Sequence, residues 1–153
     1  HGSGGFIREF PGEVRMNMVF VDASAWIALY HKRDKYHRAA WIIYEQSLNE
    51  ARKFLTTNWV AYEAMTILKS RSSYRAARVL WDIFQDTELS QLTYIDRELE
   101  KAAVDLFWNF RDKKWGIVDC SSMLLMEKEN CSVAFGYDHH FVEAGRQYGF
   151  TLL

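Results

Sequence analysis

Proline is nearly absent, with Pro11 the only one in 153 residues, and glycine occurs eight times. A chain with so few breakers and 49% hydrophobic residues is neither disordered nor of low complexity, so it is expected to fold around a core. Cysteine is scarce as well. Cys120 and Cys131 are too few for a disulfide framework or a cysteine zinc site, which points to a reducing, cytoplasmic setting. Neither sign of charge is in excess. A formal net charge of -1 excludes the global basic footprint of a strongly basic nucleic-acid binder, so any such contact must come from a local patch. Long apolar runs are missing too: nothing approaches the roughly 18 to 20 residues that span a bilayer, and no leader precedes the first apolar run. No membrane association is expected.

The length suits one domain with a real core. The opening His1-Gly2-Ser3-Gly4-Gly5 resembles a purification-tag remnant, so residues 1–15 are set aside as an extension, with Met16 or Met18 as the expected start.

What is present is organised around Met18-Val19-Phe20-Val21-Asp22-Ala23-Ser24. An apolar, β-rich run reads as a central strand of a parallel sheet, buried on both faces. Asp22 then sits at its carboxyl end, the edge where open α/β sheets bind ligands. Downstream, helices are expected over Ser24 to Lys32, from an Asp34 cap to about Ala51, from Trp59 to Lys69 behind an Asn58 cap, over Ser72 to Gln85, after the Asp96 cap, and from about Asp119 to Asn130. Strands are expected over Lys53 to Thr57, Leu89 to Ile95, Ser132 to Gly136 and near the end at Gly149 to Leu153. Strands alternating with helices make the class α/β with a mainly parallel sheet.

Three further carboxylates can reach the edge that holds Asp22. Asp138 follows the fourth strand, Asp119 stands at the mouth of a helix, and Glu63 lies at the border of the buried stripe of its helix, where it is expected to be half-covered yet reachable. Taken singly, each has a plain structural role, as a turn residue, a helix cap or a solvated helix position. Taken together they carry chemistry. Gathered carboxylates repel one another and their pKa values rise unless a cation is present. Carboxylate oxygens without a pair of histidine ligands favour magnesium or manganese over zinc. Such an ion polarises a phosphodiester and generates hydroxide from bound water.

The blocks Phe20-Val21-Asp22-Ala23-Ser24-Ala25-Trp26-Ile27-Ala28-Leu29, Glu63 within its helix, Trp115-Gly116-Ile117-Val118-Asp119-Cys120-Ser121-Ser122-Met123, and Ala134-Phe135-Gly136-Tyr137-Asp138-His139-His140-Phe141 resemble a PIN-domain ribonuclease close to the VapC-type toxins of bacterial toxin-antitoxin pairs. The resemblance runs from Met18 to the end. It implies a three-layer α/β/α domain over residues 16–153, with Asp22, Glu63, Asp119 and Asp138 as catalytic and metal-binding acids for Mg2+ or Mn2+. Asp22, Asp119 and Asp138 would hold the ion, and Glu63 would ligate through water or orient the attacking hydroxide. It further implies cleavage of RNA to a 5′-phosphate and a 3′-hydroxyl and a cognate antitoxin as partner; a symmetric homodimer is the commonest default for any such chain. Relatives of this type commonly carry a hydroxyl residue just before the third acid and a serine two positions earlier. This chain has Val118 and Gly116 there, which predicts weaker support for Asp119.

Two other readings follow from the same residues. One is a catalytically silent PIN-like module that binds RNA or a protein, and the other is the same metal chemistry directed at DNA flaps. Lys69, Arg71, Arg75 and Arg78, with Tyr74 among them, are a candidate phosphate grip beside a stacking ring, or a solvated helix start. At most one of the adjacent His139 and His140 is expected to face the site, and neither joins the catalytic set. Trp41 and Trp81 read as core or interface anchors, whereas Trp26, Tyr30 and Trp59 are candidates for an exposed apolar surface that an antitoxin covers. Cys120 reads as a small buried residue rather than a nucleophile.

Overall fold

A computed structural model describes residues 17–153, so the expectations for the tag-like opening and for Met16 lie outside the described residues. Five short strands form one sheet: β1 (Met18–Val21), β2 (Lys53–Thr57), β3 (Ser90–Thr93), β4 (Val133–Phe135) and β5 (Thr151–Leu152). Their spatial order is β3-β2-β1-β4-β5, and every pairing is parallel. All four side chains of β1 are fully buried, as its two-faced apolar pattern requires.

Seven helices connect the described strands: α1 (Ala23–Tyr30), α2 (His37–Asn49), α3 (Asn58–Arg71), α4 (Tyr74–Gln85), α5 (Arg97–Asn109), α6 (Ile117–Lys128) and α7 (His139–Tyr148). They pack as two groups, α1 to α4 and α5 to α7. The chain winds outward from β1 through β2 to β3, then crosses back to place β4 on the other side of β1. Because crossovers between parallel strands are right-handed, reversing direction puts the second helix group on the opposite face, giving three layers. The reversal also opens a crevice between the carboxyl ends of β1 and β4, the point where doubly wound sheets bind ligands.

Several local expectations shift in the folded chain. Asp34 does not cap α2. Its Oδ1 accepts from the Tyr36 N–H at 2.8 Å, closing a side-chain turn that delays the helix to His37. Asn58 does not cap α3 either. Thr57 does, its Oγ1 accepting from the Val60 N–H at 3.1 Å, while Asn58 Oδ1 takes the N–H of Ile95 at 2.8 Å and ties α3 to the segment after β3. Thr57→Ala is therefore expected to lower stability by about 1 kcal/mol in urea denaturation. An unchanged midpoint with an unchanged m-value would refute that assignment.

Trp26 is not part of an exposed apolar surface. It is fully buried, edge-on to Phe54 and Phe84 at centroid separations of 6.1 and 5.1 Å, with its indole N–H donating to Thr56 Oγ1 at 3.4 Å. Tyr30 and Trp59 are partly buried against the same core. The reason lies in α1, which is apolar almost all round and is packed by α2, α3 and α4, so its Trp26 face is turned inward. Trp41 anchors α2 to α1 through its indole N–H to the Leu29 carbonyl at 2.9 Å, and Trp81 packs partly buried against the core. Cys120 is buried as expected, and burial pushes its thiol up to about 12.

Candidate active site

The carboxyl ends of β1 and β4 are joined by short polar contacts. The Asp22 N–H donates to the Phe135 carbonyl at 2.9 Å, and Asp22 caps α1. Asp138 caps α7, its Oδ1 accepting from the N–H groups of His140 and Phe141 at 3.0 and 3.2 Å. One hydroxyl spans the gap. Ser24 Oγ donates to Asp22 Oδ2 at 2.9 Å and accepts from the N–H groups of Tyr137 and Asp138 at 2.8 and 3.1 Å. That uses its single proton and both lone pairs, so this serine locks the two acid-bearing turns to each other.

Asp119 occupies the first turn of α6, where its Oδ2 accepts from the Gly116 N–H at 2.9 Å. Glu63 projects from the second turn of α3, reachable at the surface and partly desolvated where it walls the crevice, as its place beside the buried stripe suggested. All four carboxylates line one cavity of about 370 Å³, whose walls also include Ser24, Ile27, Ile67, Lys114 and His140. His139 is not among those walls.

Crowding shows in the acid strengths. Burial, then the charge of Asp119, raises Asp22 to about 7 against the opposing hydrogen bond from Ser24. Burial raises Asp119 to about 6, with Asp138 and Glu63 adding repulsion and the Gly116 N–H and His140 opposing it. Glu63 is raised by the partial desolvation of the crevice and then by Asp138. Each charge would be favoured by a cation held among them. Among the described residues, no three His, Cys, Asp or Glu side chains already form a complete ligand group. An ion bound here would complete its shell with water and substrate oxygens rather than sit in a closed protein cage.

Gly116 and Val118 line the cavity, and of the two only Gly116 supports the acid, through its backbone N–H. The Gly116 N–H bonds Asp119, and the Val118 carbonyl accepts from both Ser121 Oγ and Ser122 Oγ at 2.7 and 2.9 Å. The bridge made by Ser24, the cationic Lys114 and the close approach at Gly136 had no local signature. Ser24 reads in sequence as a helix-start residue, whereas its decisive partners lie more than 110 positions away. The basic residues of α3 and α4 divide between two cavities. Lys69, Tyr74 and Arg78 line one cavity with Trp81, while Arg71 and Arg75 line another.

Ser24→Ala is expected to lower cleavage roughly ten- to a hundredfold by loosening the two acids. It should also move the acid limb of the pH–rate profile upward, because the hydroxyl is one of the groups holding Asp22 down. Ser24→Thr should restore both. A parental profile in Ser24→Ala would show that the bridge does not matter to the chemistry.

The PIN-domain family model matches residues 19–147. The chain is 28% identical over 128 residues to the 23S rRNA-specific endonuclease VapC20 of Mycobacterium tuberculosis, covering 84% of this chain and 95% of that protein. Superposed on the crystal structure of M. tuberculosis VapC20, described as a Sarcin-Ricin loop cleaving toxin, it gives a TM-score of 0.76 at 26% identity over 87% of this chain and 96% of the other. Two more distant structures share the fold. PAE2754 of Pyrobaculum aerophilum has a TM-score of 0.53 at 17% identity, covering 87% of this chain and 89% of its own. FitAcB of Neisseria gonorrhoeae has 0.57 at 10%, covering 88% and 97%. The sheet order, the acid-lined crevice and the family match over most of the chain agree, and the protein belongs to the PIN-domain family.

Proposed function

We propose that this protein is a divalent-metal-dependent endoribonuclease, the toxin of a toxin-antitoxin pair, acting on structured RNA of the ribosomal kind that its relative VapC20 is named for. The observation that carries the reading is the meeting of Asp22, Glu63, Asp119 and Asp138 in one cavity, with two of them pushed up to about 7 and about 6. An all-oxygen donor set of this kind fits a hard cation, magnesium or manganese. Asp22, Asp119 and Asp138 would hold it and Glu63 would ligate through water. When bound, the ion supplies Lewis acidity and an ionised water for attack on the phosphodiester.

The rest is the work of the chain itself. Ser24 fixes the Asp22 carboxylate relative to Asp138, and Lys114 places an ammonium in the cavity wall where a phosphate oxygen can meet it. No observation favours the catalytically silent alternative. Residues 16–153 would form a single nuclease domain, acting in the cytoplasm with a cognate antitoxin and as a possible homodimer. Among the described residues no helix is long and apolar enough to cross a membrane.

The test is incubation of the purified protein with ribosomal and total RNA in manganese, in magnesium and in chelator. Ion-dependent internal cuts bearing a 5′-phosphate are expected. Cutting that persists in chelator, or a folded protein that neither cuts nor takes up either ion by calorimetry, would overturn the reading.

A further inference from the structure

A second cavity, of about 620 Å³, opens where α1 ends and α3 turns into α4, and its walls include Lys32, Arg33, Arg71 and Arg75. All four cations are exposed, and none is in an ion pair with a carboxylate among the described residues, whereas Arg78 nearby lies 3.6 Å from Asp82. Among the described residues no acidic one lines the cavity. It is in line with the acid site. Glu63 and Ile67 wall the acidic cavity and Arg71 walls the basic one, at successive i, i+4 positions on a single face of α3. On α1 the same relation links Ile27 to His31 just past the helix end. Since α1 and α3 pack together, the two cavities are consecutive stations of one groove, with Arg71 about 12 Å along the helix axis from Glu63.

We infer that Lys32, Arg33, Arg71 and Arg75 form a phosphate-binding station for the RNA backbone flanking the cut, reached along the groove between α1 and α3. The inference rests on the nuclease reading for the direction of the strand, though not for the binding itself. RNA rather than an acidic peptide is favoured because the cations follow directly on the cleavage site. They are also left in water, where backbone phosphates are met. Such contacts carry little sequence information and position the strand.

Binding of a labelled single-stranded RNA oligonucleotide is measured in chelator across a potassium chloride series, with the parent, Arg71→Gln/Arg75→Gln, Lys32→Gln/Arg33→Gln, the conservative Arg71→Lys/Arg75→Lys, and Arg97→Gln/Lys101→Gln on α5 as a charge-matched control. Each glutamine pair at the station should weaken binding about tenfold at low salt and reduce the slope of log K against log salt by about 0.7 for every phosphate no longer neutralised. The lysine pair and the α5 pair should stay near the parent. In cleavage assays, KM should rise with kcat held. Parental affinity and slope in both station variants would overturn the inference. So would binding of poly-glutamate that the station variants lose while keeping RNA. Because binding is read without metal, a protein that never cleaves would defeat the proposed activity and still decide the station.

Discussion

Asp22→Asn is expected to reduce RNA cleavage by at least about 10²- to 10³-fold and, at the same time, to stabilise the metal-free protein near pH 8. The first effect follows from removing a charge at the centre of the acid cavity. The second follows from that charge being unwelcome without a cation. Asp22 is only 5% exposed and its pKa stands at about 7, against an ordinary 3.8. A folded-state value above the unfolded one means that the native state holds the proton more tightly. The contribution to stability is then fully present below about pH 4 and is lost as pH rises through 7. At about 1.4 kcal/mol per unit, the loss is on the order of 4 kcal/mol. Asparagine carries no charge to desolvate and keeps an oxygen for the Ser24 hydroxyl, so it escapes most of this penalty. Thermal melts in chelator at pH 5 and pH 8 should show a parent that weakens with pH and a variant that weakens much less. Manganese should then raise the melting temperature of the parent more than that of the variant. Parallel pH responses would remove the electrostatic account, and retained cleavage would remove Asp22 from the chemistry.

Gly136→Ala is expected to lower cleavage about a hundredfold while leaving RNA binding in chelator near the parental value. A Cβ at this position would stand 2.9 Å from Asp22 Cβ and 3.0 Å from the Phe141 ring. Neither neighbour can yield easily. Phe141 is fully buried, 6.1 Å from the Phe20 ring and 5.1 Å from that of Phe150, while Asp22 is pinned by its cap and by Ser24. The carboxyl end of β4 must therefore move away from β1, carrying Asp138 with it. Overpacking of this kind costs about 1 to 3 kcal/mol, and a small displacement of reacting groups is enough to lose two orders of magnitude in rate. Single-turnover cleavage and urea denaturation measure the two parts. A parental rate in a destabilised variant would mean that the acids tolerate the shift.

Both expectations depend on how the ends of β1 and β4 meet, and the chain announces those ends unequally. The run from Met18 to Val21 is apolar on both faces, and few structures other than a central parallel strand accept it, so Asp22 at a carboxyl edge was legible from local pattern alone. The same is true of Asp138 behind the fourth strand, of the Asp96 cap on α5, and of the alternation that makes the sheet parallel. Glu63 beside the buried stripe of its helix was legible as well, because helical periodicity gives the angle around the axis. The Asn58 cap was not. Thr57 and Asn58 are adjacent residues that can both cap a helix, and the choice was made by Ile95, whose N–H claims the asparagine from across the fold.

Strand and helix order, the α/β class and the placing of Asp22 and Asp138 at strand ends were therefore written into short-range chemistry, namely the period of apolar residues, turn-forming polar residues and the position of carboxylates after strands. Other features needed the folded chain. These are the reversal that sets β4 beside β1, the burial of Trp26 against Phe54 and Phe84, the bridge from Ser24 to Tyr137 and Asp138, and the raised pKa values of the acids. Each is a relation between groups far apart in sequence. Desolvation and repulsion depend on distances that no local pattern contains.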